Sequence, residues 1–222
     1  MAGALNELES FGFRTVPVTV IGSRAIQGFN PKELSDALKL RTGASIRDPA
    51  ETIPLLGKAL DAVQRAVKQL PDEKLDWKAA GRDRPLRDLT YHIFLRVRHT
   101  ILGISTGAYP PEPKEAARNY TKFQSIADFG EEVIRDYWAW SKGQDLDVLR
   151  RPSRSPSDEL NQFFRGSGAE RLDLVAGHTV QHLRQLYWVL EQFGIKPKEP
   201  LPDSAFPSEY LLPLISPTGE LF

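Results

Sequence analysis

The chain has 222 residues, 41% of them hydrophobic, enough for one sizeable core and a smaller appendage. Its 29 Lys and Arg balance 29 Asp and Glu, so composition offers no basic excess of the kind that binds nucleic acid. There is no Cys, which excludes disulfides, Cys-ligated zinc, iron–sulfur clusters and a thiol nucleophile of the protein's own; a thiol in its chemistry must arrive as a small molecule.

Residues 4–11 read as a short helix stopped by Gly12. Val16 to Ile21 is a β-branched run, and Ala25 with Ile26 forms a second short strand after Gly22 and Ser23, which makes a hairpin. Pro17 falls inside the first strand, a place for an edge position or a cis bond. Asn30 caps a helix that begins at Pro31 and runs to Leu40. A fragment of 40 residues is too small to carry its own core, and 41–48, RTGASIRD, reads as a linker.

A larger unit of four long amphipathic segments follows. Pro49 opens the first, with Ile53, Leu56, Leu60, Val63, Val67 and Leu70 as its apolar stripe. Pro85 opens the second, which carries Leu86, Leu89, Ile93, Val97, Ile101 and Leu102 and ends at Gly107. The third holds Ile126, Phe129, Val133, Ile134, Tyr137 and Trp138 and stops at Gly143; its aromatic residues suit core packing better than a nucleic-acid platform. The fourth, Glu170 to Phe193, repeats Leu172, Val175, Thr179, Leu183, Leu186, Tyr187 and Leu190. Such a pattern calls for a mainly α fold, a helical bundle, although 72–84 and 143–168 are longer than minimal connections. The Pro-rich tail, 195–222, should pack as extended chain. No leader pattern or uninterrupted apolar span stands out, so we expect a soluble cytoplasmic protein with no membrane partner.

His178 and His182 are four apart on the last helix, one above the other, as two imidazoles must be to ligate one ion. The alternative is one core-edge and one surface histidine. The motif lacks the Glu of the zincins. His92, mid-way along the second helix, would complete a three-histidine site with open positions, the arrangement of a catalytic metal. The fourth histidine, His99, either replaces His92, lines the approach, or is solvated or hydrogen-bonded. Asp88 is either an orienting acceptor for His92 or a surface carboxylate. Imidazole and water ligands suit zinc or nickel. Glu170 lies two turns from His178, too far for direct contact, and Arg184 stands at the rim or meets an anion at the cleft mouth.

RDLTYHIF in the second helix and GHTVQHLRQL in the fourth resemble the DinB/YfiT-like family of four-helix bundles, related to mycothiol-dependent maleylpyruvate isomerase and bacillithiol S-transferases. The resemblance covers roughly 49–194. It implies a divalent metal, zinc or nickel, on His92, His178 and His182, and a homodimer. The first 40 residues resemble the C-terminal half of a glutaredoxin: Thr15, Val16 and Pro17 match the loop that holds the backbone of glutathione, and Gly28 with Phe29 matches the loop before the last helix. The redox half is missing, so the fragment either keeps a thiol-binding surface or serves packing and dimerisation.

The expected function is a metal-dependent transferase or isomerase using a low-molecular-weight thiol such as glutathione, with Arg184 and Tyr187 as candidate contacts to a substrate carboxylate. The alternatives are a metal-dependent hydrolase using bound water and a non-catalytic stress protein that binds metal and a small ligand.

Overall fold

A computed structural model of the chain describes residues 18–22, 24–27, 34, 37, 46–79, 83–107, 110, 115–152 and 166–211. The chain forms two compact units, Met1–Ser45 and Ile46–Phe222. In the first, strands β1 (Val18–Ile21) and β2 (Arg24–Gln27) pair antiparallel, with Val18 opposite Gln27 and Ile21 opposite Arg24. This is the expected hairpin. Leu34 and Ala37 are helical, inside the segment read as 31–40. The remaining expectations for this unit, the helix at 4–11 and the loops at Thr15, Val16 and Pro17 and at Gly28 and Phe29, lie outside the described residues.

In the second unit, α1 (Pro49–Val67) starts where a proline and a cap coincide: Asp48 accepts from the Ala50 N–H at 2.9 Å, and Pro49 has no N–H to leave unpaired. Leu56, Leu60, Val63 and Val67 are fully buried, so the stripe read from the sequence faces the core. Helix α2 (Leu86–Thr106) ends at Gly107, whose φ of 74° reverses the chain while its N–H closes onto the Gly103 carbonyl. Leu102 departs from the expected stripe and is 42% exposed, because the buried arc ends at Ile101. Helix α3 (Phe123–Lys142) has no local side-chain cap. Its first N–H instead donates to Asp72 Oδ1 at 2.7 Å, a residue of the turn that follows α1.

The polar loop after Gly143 contains an unexpected short helix, α4 (Leu146–Arg150), capped by Asp145 and anchored by buried Leu149. The last helix, α5 (Gly168–Gln192), opens with a capping box in which Ser167 and Glu170 exchange side-chain-to-backbone hydrogen bonds at 3.1 and 2.8 Å.

Among the described residues α1 packs on α5 and α3, and α2 packs on α3 and α5, so the four long helices form a ring in the order α1, α3, α2, α5. Consecutive helices α1 and α2 are therefore diagonal, as are α3 and α5. The connections at 72–84 and 143–168 thus join diagonal helices instead of neighbours. The ring order also makes α2 and α5 neighbours, the two helices that carry histidines.

The tail is more structured than an extended cover. Short 3₁₀ turns form at Asp203–Ala205 and Ser208–Tyr210, and Phe206 and Tyr210 are buried against the bundle core.

Candidate metal centre

His92 projects from the middle of α2 and is buried, while His178 and His182, one turn apart on α5, keep partial exposure. The three rings meet across the seam between these helices. His178 Nε2 lies 3.2 Å from His92 Nε2 and 3.1 Å from His182 Nε2, and one donor atom from each ring fits within 4.8 Å of the others. Zinc with bonds of about 2.0–2.1 Å holds neighbouring nitrogens roughly 3.3 Å apart in tetrahedral geometry and roughly 2.9 Å apart in octahedral geometry. These two separations fall between those values, and the third donor lies within 4.8 Å of the others, so the cluster is a potential site for a single divalent ion and does not choose its geometry. No carboxylate among the described residues joins the cluster, and the donor set is three imidazoles.

Electrostatics keep the two imidazoles of α5 unprotonated. Burial pushes His178 well below the ordinary histidine range, and the neighbouring charges of His182, His92, Arg96 and Arg84 act in the same direction. Burial likewise holds His182 down at about 4, against a hydrogen bond donated to Gln185 Oε1 that raises it, with His92, Arg84 and Arg96 lowering it further. A neutral ring keeps a lone pair for a metal at physiological pH. Arg96 is one turn beyond His92 on α2, and Arg84 just precedes that helix, so both place positive charge beside the site.

The distal nitrogens on α5 differ. His182 Nδ1 is 2.7 Å from Gln185 Oε1, whereas His178 Nδ1 is buried with no hydrogen-bond partner among the described residues.

Three expected donors thus come together and the fourth histidine does not join them. His99 is buried on α2, which removes the solvated alternative. Asp88 is half-buried in the first turn of α2, and Glu170 is occupied by its capping box.

Arg184 and Tyr187 lie elsewhere on α5. Arg184 pairs with Asp203 at 3.2 and 3.3 Å, and the Tyr187 hydroxyl accepts from the Leu201 N–H at 3.1 Å. Both partners belong to the tail. Steps of two and five residues from His182 turn a side chain about 200° and 140° around a helix, away from the imidazoles. Gln185 was passed over in the sequence because a glutamine three residues beyond a histidine has no distinguishing pattern; its signal was the i, i+3 spacing alone.

The model of the DinB superfamily matches residues 55–186, more than half of the chain and all three histidines. The chain belongs to the DinB superfamily. No curated protein matches it. Membership agrees with the bundle and with the histidine cluster as a potential metal site, and among the described residues of this DinB-superfamily chain no helix is long and apolar enough to cross a membrane.

Proposed function

We propose that the protein is a divalent-metal-dependent transferase or isomerase that uses a low-molecular-weight thiol, with glutathione as the first candidate. The observation that carries this reading is the convergence of three Nε2 donors, with no carboxylate among the described residues, in a chain that has no cysteine. A divalent ion bound there, zinc or nickel, would lower the pKa of a thiol or water and polarise an electron-poor substrate. His92, His178 and His182 would hold it, and all three come from one chain, so the centre needs no second copy to be complete.

Arg84 and Arg96 add positive charge to a site whose ligands carry none, which favours an anionic ligand such as a thiolate or an unsaturated acid. With no carboxylate base beside the histidines among the described residues, a nucleophile that ionises readily by itself suits the site better than a neutral alcohol or amine. Arg184 and Tyr187 enter the proposal as rim residues that hold the tail, through Asp203 and Leu201, and not as groups that touch substrate. Thr15, Val16 and Pro17, in the first unit, enter it only as a segment that resembles a glutathione-binding loop.

The test is calorimetric titration of the zinc-loaded full chain with glutathione, repeated on His92→Ala. The expected result is binding by the native protein that the variant loses. Glutathione binding that survives in His92→Ala would detach the thiol from the metal. Zinc binding without glutathione binding would shift the assignment to a hydrolase or to a ligand-binding protein without chemistry.

A further inference from the structure

A neutral imidazole carries one N–H, so whatever its distal nitrogen does decides whether the other offers a lone pair. His182 Nδ1 faces Gln185 Oε1 at 2.7 Å. An amide oxygen only accepts hydrogen bonds, so that contact places the proton on Nδ1 and leaves Nε2, the atom 3.1 Å from His178 Nε2, as a lone-pair donor. Gln185 stands three residues beyond His182 on α5, so the acceptor and the ring ride on the same rigid helix and their geometry depends on no other element.

We propose that Gln185 is a positioning residue of the metal centre, fixing His182 in the Nδ1–H tautomer so that its Nε2 is aimed at the ion before the ion arrives. The proposal rests on the histidines being metal ligands. His178 supplies the internal contrast, because its Nδ1 is buried with no partner among the described residues. With its proton on Nδ1, His182 presents Nε2 as a bare acceptor in the metal-free protein, so the 3.1 Å contact puts the His178 proton on Nε2, which also lies 3.2 Å from His92 Nε2. His182 is therefore ready to bind in its resting tautomer, and His178 has to move its proton to Nδ1 to do so. The ring count stays balanced: each imidazole remains neutral with one N–H throughout.

The chain has four histidines, so imidazole nitrogen-15 spectra of the metal-stripped full chain are few enough to assign by substitution. The expected result is Nδ1–H for His182 and Nε2–H for His178. In Gln185→Leu, close in volume and without an acceptor, the His182 proton moves to Nε2 or exchanges between sites, and zinc affinity measured by competition with a chelator falls by about 10–100-fold, the usual effect of losing an orienting partner. In Gln185→Glu, which keeps an acceptor, the Nδ1–H tautomer and native zinc affinity return. A role confined to packing would change melting temperature in the Leu variant and leave the tautomer alone. The inference is overturned if native His182 carries its proton on Nε2, or if Gln185→Leu binds zinc as tightly as the native chain. Failure of the native chain to bind zinc at all would overturn the metal reading itself and this inference with it.

Discussion

At the residue scale, the three-histidine cluster makes folding stability depend on pH in a direction that follows from burial. His182 is held at about 4 and His178 well below the usual range, both chiefly because burial disfavours the charged ring. In the unfolded chain a histidine titrates near about 6.5. Below that pH the unfolded state takes up protons that the folded state refuses, so stability rises with pH across the window. In the metal-stripped protein the contribution is complete above about pH 6.5 and is lost as pH falls toward 4. Urea unfolding at pH 7.5, 6.5 and 5.5 should show a falling midpoint, with a shallower fall in His182→Gln. Equal midpoints across the three would show that the rings are solvated in the folded state. Zinc should steepen the native dependence, because protons then compete with the ion for the same nitrogens.

At the element scale, the ring of four helices is closed by residues chosen for how little space they take. A Cβ built on Gly130 of α3 would stand 2.4 Å from Phe94 Cζ of α2 and 2.7 Å from Gln64 Oε1 of α1. Neither neighbour can retreat: Phe94 is fully buried, and the Gln64 amide is tied to the Ala127 carbonyl at 2.7 Å. Alanine gains about 1 kcal/mol over glycine in helix propensity, while overpacking a dense core costs about 1–3 kcal/mol. Gly130→Ala should therefore lower the urea midpoint, and a midpoint equal to or above the native one would place slack in this core. The same element shows what a sequence can and cannot disclose. The apolar period of α3 and its stop at Gly143 are local and were legible, as were the spacing of His178 and His182 and the place of His92 on the second helix; that this helix neighbours α5 was not. The Asp72 cap on Phe123 was not, because it reaches across 51 residues. Helix α4 was hidden too, since five residues with one buried leucine are too short to display a period. Gln185 was visible as a letter, but its role depends on which ring nitrogen it meets.

At the scale of the whole molecule, the tail acts as a strap that ties α5 to α1, and it decides how Arg184 should behave. Tyr210 is 6% exposed, lies over Gly177, and its hydroxyl donates to Asp173, whose carboxyl is raised above its ordinary range chiefly by burial. Arg47 reaches Glu51 of α1 at 2.9 Å and Glu209 of the tail at 2.6 Å, and Gln69 bonds the backbone at Lys196 and Lys198. Tyr210→Ala removes the buried ring and strips the Asp173 carboxyl of its donor, and the expected loss is about 3–5 kcal/mol. Arg184→Met breaks the pair with Asp203, whose side chain is 58% exposed, together with a long contact to Gln181 Oε1 at 3.5 Å, and should cost about 1 kcal/mol. Zinc affinity of the folded protein should hold in both variants, since these contacts lie around α5 from the imidazoles. The two roles considered for Arg184 then separate in one experiment on the zinc-loaded variant. As a rim residue it leaves glutathione affinity unchanged while melting temperature falls slightly; as a group that meets a substrate carboxylate it loses binding with no matching loss of stability.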